Sequence, residues 1–462
     1  MSRVRIFCAL FCVLVVSSLS AQSSLKKPPL AATPPMGWNS WDAYGFTIDE
    51  KDFKANAEVL ASMRPLGWEY AVIDEGWYMQ DPFGKDTPAQ KFLFDGNGLL
   101  IPDVSRFPSA AGNAGFRPLS DWLHSKGLKF GIHILRGVPR EVADKNLPIA
   151  DSSFHMSDAV DRESTCPWSD ANYGIADNAA GQAYYDSMMK RYAHWGLDFI
   201  KVDCISDRPF RPTEIRQIAE AIRKTGRPIV LSLSPGPTSL DNADYVAKYS
   251  QMWRITDDHW DYWMAKDKGQ GSEFPFGLKE EFDRIASWNK HVKPGAWPDP
   301  DMLPLGSLTP HPGFGDPRAS RYTPDEERSE FTLWAISRSP LIFGGNLTKL
   351  DDFTRSLLTN KDVLDINQRA VESGPVLIPG KAGLPSGWHA WSARTKEPNG
   401  KTYIALFNAS DNKSQWEISW TAFHLSNKDH ALYDLYSRKE IPAVYEFRIE
   451  LPPHGCALYR VE

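Results

Sequence analysis

The chain lacks the features that mark several large protein classes. Its 462 residues include 5 cysteines and contain neither a C-x-x-C pair nor an H-E-x-x-H motif, so a protein-built metal site has no support and no cofactor is expected. No basic tract stands out against a formal net charge of −6, which argues against nucleic-acid partners. No segment is long and apolar enough to span a membrane. These absences leave a folded globular protein, and the sequence does not indicate its oligomeric state.

The N-terminus carries one short apolar run. A basic start precedes the apolar residues 6–16, and small residues follow as far as Ala21. This order is typical of a cleavable secretory signal at residues 1–21, which predicts a secreted or periplasmic protein. Three cysteines then remain, so at most one internal disulfide forms, and we predict that it joins Cys166 to Cys204.

The body of the chain alternates strand-like with helix-like segments, which predicts a parallel sheet. Eight such units predict a (β/α)8 TIM barrel, an α/β fold, over residues 28–370. The predicted strands are Met36–Trp38, Tyr70–Asp74, Lys129–Ile134, Phe199–Asp203, Ile229–Ser234, Gln251–Ile255, Ala296–Trp297 and Leu341–Phe343. After them, short strand-like segments separated by turn residues predict a small C-terminal antiparallel β-sandwich at 371–462.

The joints between these units differ in length. The joints that follow the second and third predicted strands each run to roughly forty residues. The helix-to-strand joints are short, and four of them begin with a glycine that can end a helix: Gly67, Gly127, Gly196 and Gly226. One end of the barrel is therefore built up. Barrel enzymes carry their chemistry at the end where strands lead into helices, so the sequence indicates an enzyme.

Charged residues stand near the carboxyl ends of four predicted strands. Lys201 and Asp203 share one face of their strand because side chains alternate, and they point into the barrel if Ile200 and Val202 face the helices. The alternative for this pair is an ion pair that closes the top of the barrel. The other clusters are Arg254 with Asp258, Asp74 with Glu75, and Asp301 in a proline-bounded turn.

Structural roles compete with chemistry in these clusters. Asp is favoured at helix starts and in rigid turns, and Asp257 and Asp299 fit those roles. Four acidic clusters without a metal motif nevertheless suit glycoside hydrolysis, which uses one carboxylate as nucleophile or base and another as acid. The 17 tryptophans suit the same function, since sugar C–H faces pack well on aromatic rings. We therefore expect a carbohydrate substrate.

A series of short motifs runs in order from Pro34 to Gly345. They are PMGWNSW at 35–41, IDEGW at 73–77, DGNG at 95–98, PDVSRFP at 102–108, GLKFGI at 127–132, KVD at 201–203, WR at 253–254 with Asp258, and WPDPDML at 297–303. In this order they resemble the α-galactosidase family of glycoside hydrolases, family 27. The resemblance implies a retaining exo-glycosidase that removes terminal α-D-galactosyl residues through a covalent glycosyl-enzyme intermediate.

The resemblance also implies roles for individual residues. It makes Asp203 the nucleophile and Asp258 the general acid/base, whose pKa should be raised so that it holds a proton. The positions implied to contact the terminal sugar are Trp38, Asp74, Glu75, His133, Lys201, Ser234, Arg254 and Asp301.

Three positions depart from the family's usual pattern. Glu75 stands where an aspartate is usual, and its extra methylene would fill the space of a galactose C6 hydroxymethyl group. L-arabinopyranose lacks that group, so β-L-arabinopyranosidase is an alternative activity. His133 replaces a common tyrosine, and the small loop at Ser234 replaces a bulkier one, which leaves α-N-acetylgalactosaminidase as a further alternative. A catalytically silent sugar-binding relative is the non-enzyme alternative, although both Asp203 and Asp258 are present.

Overall fold

The computed structural model describes residues 29–80, 91–265, 275–308, 318–376, 384–396 and 400–462. The predicted signal segment, residues 1–21, lies outside the described residues. Within them, no helix has the length and apolar character needed to cross a membrane.

Eight parallel strands form the barrel, which confirms the predicted fold. Numbered β1 to β8, they are Met36–Asn39, Tyr70–Ile73, Lys129–Leu135, Phe199–Asp203, Val230–Leu233, Met252–Arg254, Trp297–Asp299 and Leu341–Phe343. Every strand begins and ends within two residues of its predicted position. The hydrogen-bonded order runs from β8 through β1 to β7. An isolated parallel bridge between Leu303 and Phe343 closes the circle.

Most of the described barrel helices begin at a side-chain cap or a proline, and two of them end at a glycine. They are α1 (Glu50–Ser62), α2 (Arg117–Ser125), α3 (Ala179–Trp195), α4 (Pro212–Thr225), α5 (Ala243–Tyr249), α6 (Leu278–Trp288), α7 (Pro324–Ser337), α8 (Asp352–Leu358) and α9 (Lys361–Arg369). The Asn178 side chain accepts from the backbone N–H of Gly181 at the start of α3. At its end Gly196 has φ of +86°, and a Cβ there would lie 2.5 Å from Ser120 Oγ.

The loops beyond the carboxyl ends of the strands contain elements of their own. The helices in them are Trp41–Tyr44, Arg140–Asp144 and Met156–Ala159, and the strands are Val138–Pro139, Val160–Asp161, Asn172–Ile175, Ser307–Leu308 and Arg318–Ala319. The predicted disulfide between Cys166 and Cys204 is present and ties the loop after β3 to the end of β4. The loop lengths in the sequence predicted additional structure at the carboxyl ends of the barrel strands, and the structure places these elements at that end.

The C-terminal region is an antiparallel sandwich, as predicted. Its strands, β9 to β16, are Ala370–Pro375, Trp388–Thr395, Thr402–Asn408, Ser414–Ile418, His430–Asp434, Glu440–Val444, Phe447–Leu451 and Cys456–Val461. Six of them form a sheet in the order β9-β10-β11-β16-β13-β14, and β12 pairs with β15. A core that includes Trp388, Trp416 and Trp420 lies between the two sheets.

One face of the sandwich packs on helices of the barrel. Phe282 of α6 contacts Phe407 with ring centroids 5.1 Å apart, and it stacks on His389 at 4.4 Å. Ser329 of α7 donates a hydrogen bond of 2.6 Å to the carbonyl oxygen of His454. The two domains consequently share one hydrophobic core.

Candidate active site

A cavity of about 580 Å³ opens at the carboxyl ends of the barrel strands. Eight of the predicted site residues line it: Asp74, Glu75, His133, Lys201, Asp203, Arg254, Asp258 and Asp301. They come from the ends of strands that are far apart in sequence, and the barrel topology brings them together. Among the residues that the structure describes, no group of three or more His, Cys, Asp or Glu side chains is arranged to hold a metal ion.

Asp74 and Lys201 form a buried ion pair on the floor of the cavity. Lys201 Nζ lies 3.0 Å from Asp74 Oδ2, and the same oxygen accepts a 2.6 Å hydrogen bond from Asn39 Nδ2. Burial opposes ionisation of Asp74, but the charges of Lys201 and His133, with two hydrogen bonds, lower its pKa to about 2. Asp74 is therefore a fixed anion.

Asp203 sits at the end of β4 among groups that favour its ionised form. Its Oδ2 lies 3.3 Å from His133 Nε2 and 3.5 Å from Ser234 Oγ, and its Oδ1 accepts from the backbone N–H of Cys204. Burial raises the pKa of Asp203, but the hydrogen bond and charge of His133, with Lys201, outweigh it and hold that pKa below its ordinary value. The result is a carboxylate exposed to the cavity with a fixed orientation.

Arg254 binds three groups in the loops above β6 and β7. Its Nη2 lies 2.7 Å from Asp301 Oδ2 and 3.3 Å from Asp258 Oδ1, and it donates to the carbonyl oxygen of Asp257 at 2.7 Å. Asp301 has φ of +87°, an unusual value outside glycine that its surroundings must stabilise. Its carboxylate also accepts a 2.9 Å hydrogen bond from the backbone N–H of His259.

Asp258 differs from Asp203 in its electrostatic surroundings. Its side chain keeps 42% of its surface exposed and faces the cavity. Burial of the carboxyl group raises its pKa; the charge of Arg254 opposes this shift and the charge of Asp203 adds to it. The predicted upward shift is thus present. Asp203 thus favours ionisation, and Asp258 in the same cavity favours protonation.

Glu75 brings a third titratable carboxyl group into the cavity. Burial raises its pKa to about 7; His133 opposes this shift, while the charges of Asp203 and Asp74 add to it. Glu75 follows the anion Asp74 directly, and the backbone N–H of Glu75 donates to Asp74 Oδ1 at 2.8 Å. Its longer side chain occupies part of the space that the cavity offers to a ligand.

Two predicted sugar contacts lie outside the cavity lining. Trp38 is fully buried, donates through Nε1 to the carbonyl oxygen of Gly345 and packs on Phe53. Ser234 is buried behind Asp203. The helix start expected at Asp257 is wrong, because no helix begins there; Asp257 instead forms an ion pair with Arg208 and accepts from the backbone N–H of Asp258. Asp299 fits its expected turn role, since its Oδ1 accepts from the backbone N–H of Asp301 at 3.0 Å.

The sequence analysis did not single out the aromatic walls of the cavity. These walls are formed by Trp41, Phe46, Trp168 and Trp260, with Leu135 and Met302. Trp41 stands in the first motif, three residues after Trp38, so the motif carried the signal. No sequence pattern placed Trp168 there.

The sequence analysis also missed a buried cluster behind Asp258. His259 Nε2 lies 2.7 Å from Glu330 Oε1, and its Nδ1 lies 3.3 Å from Glu281 Oε1. Burial, with the charge of Arg254, lowers the pKa of His259 to about 3. Burial also raises the pKa of both glutamates well above the ordinary range. These shifts favour the neutral form of all three groups, and the cluster backs the segment that carries Asp258.

Glu330→Gln should change stability little, because the neutral acid is replaced by a neutral amide that can still bond His259. Glu330→Ala removes the carboxyl partner of His259 Nε2, which keeps the longer 3.2 Å contact with Tyr322 Oη, and it opens a cavity in the core, so it should lower the free energy of unfolding by about 2–4 kcal/mol. Guanidinium titration followed by tryptophan fluorescence measures both. Equal destabilisation by the two variants would contradict the neutral pairing.

The matching family models and two curated relatives of this chain all belong to the α-galactosidases. The family model for alpha galactosidase A matches residues 33–141 and 171–369, and that for the alpha galactosidase C-terminal beta sandwich domain matches residues 386–461. Alpha-galactosidase A of Cellvibrio japonicus is 28% identical over 97% of each chain. Alpha-galactosidase 2 of Arabidopsis thaliana is 27% identical over 93% of this chain and 89% of its own.

A solved structure is more similar in sequence. The family 27 β-L-arabinopyranosidase of Geobacillus stearothermophilus has 39% identity and a TM-score of 0.86, covering 94% of this chain and 97% of its own. The family models together match well over half of the chain. The chain therefore belongs to the α-galactosidase family, glycoside hydrolase family 27, and is a glycoside hydrolase.

Proposed function

We propose that the enzyme is a retaining exo-glycosidase in which Asp203 is the nucleophile and Asp258 the general acid/base. The observation that carries the proposal is the contrast between two neighbouring carboxyl groups of one cavity. The surroundings of Asp203 lower its pKa, and those of Asp258 raise its pKa. A double displacement begins from this pair of protonation states.

In the first step, a carboxylate oxygen of Asp203 attacks the anomeric carbon of the terminal sugar. The bond from that carbon to the leaving oxygen breaks, and the leaving oxygen takes the proton of Asp258. Asp203 is now an uncharged ester. Because the charge of Asp203 had helped to raise the pKa of Asp258, its loss lowers that pKa and prepares Asp258 to act as a base.

In the second step, Asp258 accepts a proton from a water molecule whose oxygen attacks the anomeric carbon. The ester bond to Asp203 breaks, the carboxylate is restored, and the sugar leaves with its original configuration. Asp74, Lys201, Arg254 and Asp301 are the groups we propose for holding the sugar's hydroxyls, since each is fixed by an ion pair at the cavity. Trp38 is buried outside the cavity lining, so its position does not support the predicted contact with the sugar.

For the terminal sugar we propose β-L-arabinopyranose first. Glu75 reaches into the cavity from the position where a shorter aspartate would leave room for a hydroxymethyl group. The 39% identity to the Geobacillus stearothermophilus β-L-arabinopyranosidase supports the same choice. Terminal α-D-galactose is the second candidate, supported by the likeness to curated α-galactosidases over almost the whole chain. Export through residues 1–21 remains part of the proposal.

Asp258→Ala should slow hydrolysis of substrates with poor leaving groups by about 10²–10⁴-fold, because their leaving oxygen needs a proton. A dinitrophenyl glycoside needs none for its departure, so its glycosylation step should be far less affected. The alkaline limb of kcat/KM, which arises as Asp258 loses its proton at rising pH, should disappear with this substrate. Asp203→Ala is the matched control and should abolish turnover of both substrates. Full activity of either variant would refute the mechanism.

His133→Phe should shift the acidic limb of the kcat/KM profile to higher pH. The limb marks the pH below which Asp203 becomes protonated, and removing the hydrogen bond and charge of His133 raises the pKa of Asp203. His194→Phe, an exposed histidine of α3, is the control and should leave the profile unchanged. An unshifted limb in His133→Phe would show that His133 does not set this pKa.

Glu75→Asp should raise kcat/KM for an aryl α-D-galactopyranoside relative to an aryl β-L-arabinopyranoside by about tenfold or more, since one methylene in a pocket changes discrimination by that order. Wild type should prefer the arabinoside, and the exposed Glu141→Asp should not alter the ratio. A wild-type preference for galactoside that Glu75→Asp leaves unchanged would favour the second candidate. Turnover of neither would direct the search to N-acetylgalactosaminides, which the small Ser234 loop can admit.

A further inference from the structure

One large apolar side chain at the cavity is left in contact with solvent. Trp168 keeps 46% of its surface exposed. The other strongly exposed large apolar residues of the described chain are Val104, Leu240, Val371 and Tyr445. None of these four lines the cavity, whereas Trp168 does. Singly exposed apolar side chains are common on protein surfaces, so it is the position of Trp168 in the cavity lining, and not its exposure alone, that points to contact with a ligand.

The loop that carries Trp168 is held at several points. Cys166 is joined to Cys204, the residue after the proposed nucleophile, by the disulfide. The backbone N–H of Ser169 donates to the carbonyl oxygen of Cys166 at 3.3 Å and closes a turn around Trp168. The indole is therefore anchored within two residues of a covalent link to the strand end that bears Asp203.

A buried arginine reinforces the same connection. Arg136 donates to the carbonyl oxygen of Cys204 at 2.7 Å, to that of Thr165 at 2.8 Å and to Ser164 Oγ at 3.1 Å. Its guanidinium also forms a 2.7 Å ion pair with Glu214. The loop is thus already ordered in the folded enzyme. A ligand that stacks on Trp168 therefore binds without the entropy cost of ordering the loop.

The segment around Trp168 lies outside the part of the barrel that the family model matches. The alpha galactosidase A model matches residues up to 141 and resumes at 171, so residues 142–170 lie outside the matched pattern. Beside the charged residues described above, the cavity lining includes Pro167, Trp168, Pro235 and Trp260. A charged floor suits the hydroxyls of the terminal sugar, and an aromatic and proline wall suits the C–H face of a ring.

We propose that Trp168 forms a subsite that stacks on the pyranose ring of the leaving group. The inference rests on the proposed function and adds a residue that selects the leaving group: Trp168 favours a leaving group that carries a sugar ring over a small alcohol. A rigid aromatic wall at this position strengthens binding of a ring-bearing leaving group and contributes nothing to a leaving group without a ring.

The test compares a disaccharide with the glycosyl fluoride of the same terminal sugar, because fluoride leaves without a ring. Trp168→Ala should lower kcat/KM for the disaccharide by about tenfold and change that for the fluoride by less than about twofold. Trp168→Phe should restore most of the loss. Tyr445→Ala removes an aromatic side chain of similar exposure from the sandwich and should change neither value.

Equal losses on both substrates would overturn the subsite, since they would show that Trp168 supports the reaction centre instead. Unchanged kcat/KM for the disaccharide in Trp168→Ala would overturn it as well. Wild-type enzyme that is active on the fluoride separates these results from a failure of the proposed function. Wild-type inactivity on both α-D-galactosyl and β-L-arabinopyranosyl fluorides would overturn the function and the subsite together.

Discussion

The balance of buried charge governs this cavity. Seven carboxyl groups line it, against the cations Lys201, Arg208 and Arg254 and the imidazole of His133. Burying so many anions without partners would be prohibitive, so the carboxyl groups must divide into ionised and neutral ones. Asp74 lies against Lys201 and its pKa falls to about 2, whereas burial raises the pKa of Glu75 and of Asp301 to about 7, even though Arg254 lies 2.7 Å from Asp301. The reactive difference between Asp203 and Asp258 is one part of that division.

Much of the fold and of the charged site could be predicted because both depend on local patterns. Alternation along Phe199–Asp203 placed Lys201 and Asp203 on the inner face, and parallel strands bring their carboxyl ends to one edge of the sheet. Motif order added Arg254, Asp258 and Asp301. These inferences need only the strand positions, which hydrophobic runs and glycine-ended helices define well.

The remaining features depend on contacts between distant loops. His259 meets Glu281 and Glu330 because α6 and α7 pack side by side behind it, and no periodicity reports that meeting. The loop that carries Trp168 is held at the cavity by a disulfide and by Arg136, and Arg136 belongs to none of the sequence motifs. Whether Trp38 or Trp41 lines the cavity depends on the turn after β1, where the chain enters the helix Trp41–Tyr44. Such details arise from tertiary packing, which sequence spacing alone does not encode.

The packing of the sandwich on α6 and α7 bears on how this architecture can evolve. One side of these helices holds His259 through Glu281 and Glu330, and the other side is covered by β strands through Phe282 and Ser329. The sandwich is therefore a poor candidate for an exchangeable module. A recombination event that swapped it for an unrelated domain would uncover the outer side of the two helices whose inner side holds the segment that bears Asp258. Inheritance of the two domains as one unit follows from that shared backing.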